Sequence, residues 1–378
     1  MKLSYPKKKK DTTILKKSGR GKLSFVEGKD TSINKLIYGD NLSSMKCLIN
    51  DYGYKGKIDL VYIDPPFSTN NTFRMNDERA STISSSRDGE TAYTDNLSGQ
   101  DFIEFLRDRI ILLNELMSDK ASIYLHIDYK IGHYVKVMMD EIFGIKNFRN
   151  DITRIKCNPK NFKRKGYGNI KDLILFYTKS DNFTFNEPRI PYTKEDIKRL
   201  YSKIDENGKR YTTIPIHAPG ETKNGESSKK WKGMKPPVGR HWRISPKELD
   251  KLENKGLIEW SKNNNPRQII YADERVSRGK YIQDIWKYKD PQYPKYPTEK
   301  NKSLLDLIIK TSSNEGDVVL DCFGGSGTTL LSSQRQNRGW IGIDNSTKSI
   351  DVIKSELSKL DNTLFHDNQY GYYEHSHI

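Results

Sequence analysis

Only three cysteines occur in the 378 residues, Cys47, Cys157 and Cys322, far apart and without a Cys-x-x-Cys pair. Neither a disulfide framework nor a structural zinc is expected, and a reducing cytoplasm is the natural compartment. The seven histidines lack metal-ligand spacing, and His375-Ser376-His377 falls in a polar terminus, so no metal is expected. No apolar run approaches the ~20 residues of a membrane span. Hydrophobic content of 34% and a mean hydropathy of −0.82 describe a soluble protein. The Lys-rich start, residues 1–22, has no apolar segment of the kind a secretory leader carries. A dinucleotide fingerprint is missing too: counted from Gly325, the third glycine of Gly-x-Gly-x-x-Gly is replaced by Leu330, which disfavours a nicotinamide cofactor.

What the chain does have is positive charge, +16 overall and unevenly spread. Residues 1–22 carry +8, 23–150 carry −4, 151–300 carry +15 and 301–378 carry −3. A polyanion would dock on the tail and the middle.

The most telling residues are Asp64-Pro65-Pro66-Phe67, directly after the apolar run Ile58 to Ile63. An aromatic amine has its lone pair drained into the ring and is a poor nucleophile unless acceptors hold its N–H groups. Ionised Asp64 accepts one N–H. The carbonyl of Pro65 can accept the other, in a stiff segment with no competing donor. Phe67 would cover one face of the base, as aromatic side chains do where a base leaves the duplex. An ordinary strand-to-loop turn fits the same tetrad.

A second signal is Val318-Val319-Leu320-Asp321, a buried parallel strand in pattern, running into Phe323-Gly324-Gly325-Ser326-Gly327-Thr328-Thr329 and then a helix. Glycines there let the backbone approach a ligand at a strand's carboxyl end. The next strand, Trp340 to Ile343, ends in Asp344, placed to accept hydrogen bonds from ribose hydroxyls.

Periodicity predicts strands at Ile58 to Ile63, Ala121 to Ile127 and Leu173 to Tyr177, and helices at Asp101 to Met117 and Ile131 to Phe143. Further helices are expected at Ser303 to Lys310, Thr328 to Gln336 and Thr347 to Leu360. Such alternation implies an α/β class, a doubly wound and mostly parallel sheet with the tetrad and the glycine turn side by side in its crevice.

Together these residues resemble the S-adenosylmethionine-dependent amino DNA methyltransferases of adenine-N6 and cytosine-N4 type, in the beta group whose catalytic motif precedes the cofactor motif. Asp64-Pro65-Pro66-Phe67 is similar to that family's catalytic motif, and Asp321 to Gly327 to its cofactor motif. Ile37-Tyr38-Gly39-Asp40 resembles the element whose Asp reads the cofactor's adenine. Tyr296-Pro297-Thr298-Glu299-Lys300 resembles the segment beside the methionine moiety, where the family usually has proline after the lysine and this chain has Asn301. The stretch Gly239-Arg240-His241-Trp242 through Asn265-Pro266-Arg267 is similar to a recurrent part of bacterial members. The resemblance runs from about Asn34 to Ser358.

It implies a Rossmann-like methyltransferase fold with an inserted target-recognition region, S-adenosylmethionine as cofactor, S-adenosylhomocysteine as product and duplex DNA as partner. The implied site residues are Asp64, Pro65, Pro66 and Phe67 for catalysis, with Asp40, Lys300, Asp321, Phe323, Gly324, Gly325, Gly327, Thr328 and Asp344 for the cofactor. A leading Asp accompanies adenine in the family and a leading Ser cytosine, so the implied product is N6-methyladenine, formed by base flipping and direct displacement. Cytosine-N4 transfer is the alternative; a catalytically silent DNA-binding protein is the alternative of another class. Cytosine-C5 chemistry needs a Pro-Cys pair, and the residues before the cysteines are Lys46, Lys156 and Asp321.

The expected domains are a basic tail 1–30, a catalytic half 31–180, a target-recognition region 181–294, a cofactor half 295–362 and a C-terminal tail 363–378. Residues 68–100 read as a polar loop ordering over the base. In the middle region Lys230, Lys232, Arg240 and Arg243 are the candidate DNA contacts, since Arg and Lys meet both phosphates and base edges. Trp242 and Trp260 read as core of a small subdomain. The Lys7 to Lys10 run reads as a solvated tail. A second copy of the chain and a cognate restriction endonuclease are candidate partners, and the cytoplasm, at the nucleoid, is the expected location.

Overall fold

The computed structural model describes residues 2–16, 21–66, 72–76, 79–80, 90–94, 99–159, 161, 163, 165–294, 296–297, 299–361 and 370–376. They belong to two compact units, Met1–Glu187 with Gln283–Ile378, and Pro188–Ile282.

The larger unit is organised by a ten-stranded sheet. From one edge its strands are Lys22–Gly28, Tyr370–Ser376, Asn34–Tyr38, Gly339–Asp344, Val318–Asp321, Ile58–Ile63, Met117–Ile127, Lys171–Thr178, Phe148–Ile155 and Ile285–Trp286. The consecutive run from Tyr370–Ser376 through Met117–Ile127 is parallel. The central strands are apolar at successive positions because both sheet faces are covered. Leu36 and Ile37 are chain neighbours, both fully buried, yet they join different apolar clusters. On one side lie Met45, Leu106, Leu113, Val135 and Met139 from helices Asn41–Asn50, Gly99–Leu116 and Gly132–Phe143. On the other lie Leu330, Ile350, Ile353 and Leu357 from helices Thr328–Arg335 and Thr347–Asp361. The sheet is therefore doubly wound, as the alternating pattern predicts.

Polar pins at the strand starts fix the register. Asp59 accepts hydrogen bonds from Ser118 Oγ at 2.8 Å and Val318 N at 3.0 Å, tying three adjacent strands together. Asn301 caps helix Lys302–Ser312, accepting from Ser303 N at 2.9 Å and Leu304 N at 3.3 Å. It satisfies amides that would otherwise be orphaned, a gain of about 1 kcal/mol. The residue that departs from the family's proline is thus a helix cap.

Three expectations are corrected. The segments read as terminal tails contribute Lys22–Gly28 and Tyr370–Ser376, which pair antiparallel at the sheet edge and bury Leu23 and Tyr373. The Lys7 to Lys10 run is tied down: Lys8 Nζ meets Glu141 at 2.6 Å, and Lys9 pairs with Asp108 on helix Gly99–Leu116. The expected loop 68–100 contains a small antiparallel sheet of Thr72–Asn76, Arg79–Ala80 and Glu90–Thr94; 68–71, 77–78, 81–89 and 95–98 lie outside the described residues.

The smaller unit holds a four-stranded antiparallel sheet and two two-stranded ones, Arg189–Ile190 with Lys280–Tyr281 and His217–Pro219 with Arg240–Trp242. Ile216, Trp231, Trp242 and Leu249 form its core. Trp260 is 38% exposed and stacks on Trp231 with ring centroids 5.8 Å apart. Among the described residues no helix is long and apolar enough to cross a membrane.

Candidate active site

Four adjacent parallel strands end in carboxylates. Asp40 follows Asn34–Tyr38, Asp344 closes Gly339–Asp344, Asp321 closes Val318–Asp321, and Asp64 follows Ile58–Ile63. The carboxyl edge of a parallel sheet is where such folds bind ligands. Leu60 faces Val319 and Val61 faces Leu320, so the tetrad and the glycine turn leave neighbouring strands at one level.

At Asp64 the ladder stops because Pro65 and Pro66 bring no N–H to continue it. Its Oδ2 receives Lys300 Nζ at 2.5 Å. Its Oδ1 is buried and has no hydrogen-bond partner among the described residues. Buried carboxylate oxygens are ordinarily satisfied, so this one marks a place for a donor. Pro65 is buried and Pro66 half-buried; Phe67 lies outside the described residues. Lys300, grouped with the cofactor residues from sequence, has its ammonium on Asp64, and Thr298 beside it is also outside the described residues.

Behind Asp64 lies a buried polar chain the sequence reading missed. His126 is fully buried, its Nδ1 3.0 Å from the Tyr62 hydroxyl and 3.7 Å from Asp64 Oδ1. Its Nε2 stands 3.3 Å from Asp172 Oδ2. Asp172 also takes Lys156 Nζ at 2.7 Å, with Arg154 NH1 at 3.7 Å. Burial pulls the His126 imidazole below the usual histidine range, against the Asp172 hydrogen bond. Burial alone would raise Asp172, but the His126 hydrogen bond and charge with Lys156 outweigh it and hold the carboxyl well below the usual range. The signal was there: His126 interrupts the apolar run Ile123-Tyr124-Leu125, and Asp172 precedes Leu173 to Tyr177.

On the other side, Asp321 accepts from Phe323 N at 3.0 Å and Thr329 Oγ1 at 2.6 Å, closing the turn on itself. Burial pushes its carboxyl up to about 7, against those two hydrogen bonds and with the repulsion of Asp64 and Asp344. Gly324 N donates to Ile343 O at 3.0 Å and Gly327 N to Gly324 O at 2.8 Å. Gly327 has φ 74°, and a Cβ there would lie 2.8 Å from Ile353 Cγ1. Thr328 Oγ1 is 2.8 Å from Ser326 Oγ. Asp344 Oδ2 accepts from Gly325 N and Oδ1 from Ser346 N, each at 2.8 Å, and Ser349 and the backbone of Asn345 also donate to the carboxylate. Burial raises the Asp344 carboxyl despite these bonds.

Asp40 caps helix Asn41–Asn50 through Ser43 N at 2.8 Å and meets Arg109 at 3.3 Å. Arg109 donates to Asn41 Oδ1 at 2.6 Å and stacks 3.5 Å over Phe105, whose ring adjoins Phe323. Asn41 in turn donates to Cys322 O at 2.7 Å. Asp40, Phe323 and the glycine turn are thereby held together by Asn41 and Arg109, two residues not singled out from sequence.

The candidate DNA contacts all lie in the smaller unit, which carries 22 Lys and Arg against 12 Asp and Glu. Lys230 and Arg240 are exposed; Arg240 approaches His217 Nδ1 at 3.2 Å. Arg243 donates to Pro215 O at 3.0 Å, and Lys232 pairs with Glu253 at 2.5 Å. Among the described residues no group of three or more His, Cys, Asp or Glu is placed to hold a metal ion.

Residues 58–355 match a DNA methylase family of N6/N4 type. The chain is 38% identical over 355 residues to the type II methyltransferase M.EcaI of Enterobacter cloacae, covering 91% of this chain and 75% of that protein. It is 27% identical over 333 residues to the StyLTI type III restriction-modification Mod subunit of Salmonella typhimurium, covering 79% of this chain and 49% of the subunit. The chain thus spans three quarters of the type II relative and about half of the type III one. Among solved structures, the M1.HpyAVI–SAM complex is similar over 85% of this chain and 98% of its own, at 18% identity and a TM-score of 0.45.

Proposed function

Since the chain belongs to the N6/N4-type DNA methylase family, we propose that it transfers a methyl group from S-adenosylmethionine to the N6 of an adenine rotated out of duplex DNA. The observation that carries this reading is the unsatisfied Oδ1 of Asp64, one strand away from the glycine turn. Asp64 accepts an N–H of the target amine, draws the nitrogen toward a tetrahedral shape and faces the positive charge that grows on it. Pro65 offers its carbonyl to the second N–H, and Phe67 covers the base. Lys300 holds Oδ2 and so aims Oδ1.

The cofactor supplies an activated methyl on a sulfonium. The residues present suit it: Asp344 closes the strand beside the glycine turn, and at Gly325 an added Cβ would meet only Phe323 O at 3.7 Å, so the backbone there is open to a ligand. Asp40, partly exposed beside Arg109, offers an acceptor for the adenine amine. Holding amine and methyl in line supplies most of the rate gain. The basic smaller unit selects and grips the duplex, chiefly through phosphates. The enzyme works in the cytoplasm, and a cognate restriction endonuclease and a second copy of the chain are its proposed partners.

The test is product analysis after incubation with labelled S-adenosylmethionine and duplex DNA. N6-methyladenine is expected, with Asp64→Ala reducing transfer about a thousandfold or more while cofactor affinity holds. N4-methylcytosine would overturn the adenine assignment, and near-normal turnover by Asp64→Ala would overturn the role of Asp64.

A further inference from the structure

Methyl transfer to an amine leaves one proton too many. As the N–C bond forms, the electron pair of the S–C bond stays on sulfur and the nitrogen becomes cationic. One N–H bond must then break, its electrons returning to nitrogen. The ring nitrogens of adenine beside the amine could take the proton only along a strained path, and Lys300 occupies one oxygen of Asp64 with positive charge, which leaves Oδ1.

The geometry points to His126 as the terminal proton acceptor, working through Asp64, an inference that rests on the methyl-transfer reading above. Asp64 Oδ1 takes the proton from the methylated amine, and the Asp64 O–H then breaks as Nδ1–H forms on His126, a step in which the carboxyl turns to close the 3.7 Å that separates the two atoms here. His126 acts through Asp64 and touches no substrate.

Three observations carry this. Nε2 of His126 is held by Asp172, which fixes the tautomer with Nε2–H facing the carboxylate and Nδ1 as the acceptor. Tyr62 donates to that same Nδ1 at 3.0 Å. Its hydroxyl can turn to accept from Nδ1–H after transfer, so both charge states of the ring keep a partner. Finally, the charges around the ring suit a transient cation. Asp64 and Asp172 face it directly, while Lys156 and Arg154 balance Asp172 from the far side, Lys300 balances Asp64, and Asp290 pairs with Arg154. Burial keeps the ring neutral and ready to accept at neutral pH. A protonated aromatic amine is so strongly acidic that even a weakened imidazole takes its proton.

The test is the pH dependence of single-turnover methyl transfer by the full chain with duplex DNA and S-adenosylmethionine. The wild-type rate should fall toward acid with a midpoint below the ordinary histidine value of about 6.5. His126→Gln should lower the neutral-pH rate about 100-fold and abolish that acid limb, with cofactor affinity unchanged. Tyr62→Phe removes the hydroxyl partner of Nδ1 but leaves the acceptor itself, and should keep the acid limb while lowering the rate less than His126→Gln does. A folded His126→Gln protein with wild-type rate and limb would overturn the inference while leaving the methyl-transfer reading intact. A wild-type protein inactive on DNA would take both down. Should His126→Gln fail to fold, nuclear magnetic resonance of the imidazole decides: Asp64→Asn removes a facing negative charge and should lower the His126 titration point. An unchanged titration point would refute the coupling.

Discussion

Lys300 and Asp64, separated by more than half the chain, meet at 2.5 Å with side chains only 11% and 16% exposed. The pair joins the start of helix Lys302–Ser312 to the end of the strand Ile58–Ile63, and it leaves Oδ1 as the free oxygen. Lys300→Met should let the carboxylate rotate and lose its aim. Methyl transfer should fall about 10- to 100-fold, with cofactor affinity changed by no more than about threefold. Paired single-turnover kinetics and calorimetric cofactor binding check this; a larger loss in affinity than in rate would assign Lys300 to the cofactor.

Gly327→Ala tests the glycine turn. The backbone there is left-handed, which costs a non-glycine residue about 1–2 kcal/mol, and the new methyl would press on Ile353 at 2.8 Å. Thermal melting should show lower stability, and cofactor affinity should fall about tenfold or more as the turn and helix Thr328–Arg335 shift.

Asp321 makes stability depend on pH. Its carboxyl rises from 3.8 to about 7 through burial. The folded state therefore keeps a proton that the unfolded chain releases within that window. The stabilisation is complete below 3.8 and is lost as pH rises through about 7. His126, lowered by burial, acts in the opposite sense below the ordinary histidine value. The clean measurement is thus the difference between wild type and Asp321→Asn in urea unfolding. Moving from pH 3.8 to 7, wild type should lose about 3 kcal/mol relative to the variant. Parallel pH curves for the two proteins would rule out a raised Asp321.

Replacing Lys230, Arg240 and Arg243 together by Gln should weaken duplex binding and reduce the log–log salt slope by about 0.9 for each lost phosphate contact. Lys232→Gln alone should have a smaller effect than Lys230→Gln, because Lys232 is engaged with Glu253. Fluorescence titrations at several salt concentrations distinguish the variants; an unchanged slope would remove these side chains from the DNA surface.

The site was legible in the sequence where chemistry and local pattern coincide. Asp64, Asp321 and Asp344 each sit at or just after the end of an apolar strand, so one stretch of chain announces both the element and its candidate residue. The edge pair Lys22–Gly28 with Tyr370–Ser376 was not legible. Each strand is short and half polar, and what makes it a strand is a partner at the other end of the chain. Lys8 and Lys9 misled for a related reason: a basic run looks solvated until Glu141 and Asp108, on two distant helices, are brought to it. The His126 chain escaped because its members come from four separate segments, and only the sheet order assembles them.

The position of Val318–Asp321 at the middle of the sheet, beside Ile58–Ile63, has a temporal side. During synthesis Asp64 leaves the ribosome long before the strand that must lie next to it. The first half of the chain waits with an open seam until the late segment inserts, a long-range closure that folds slowly. A nascent or interrupted polypeptide accordingly lacks the centre of the sheet, and the edge along which the four carboxylates line up comes into being only once Asp344 has been made.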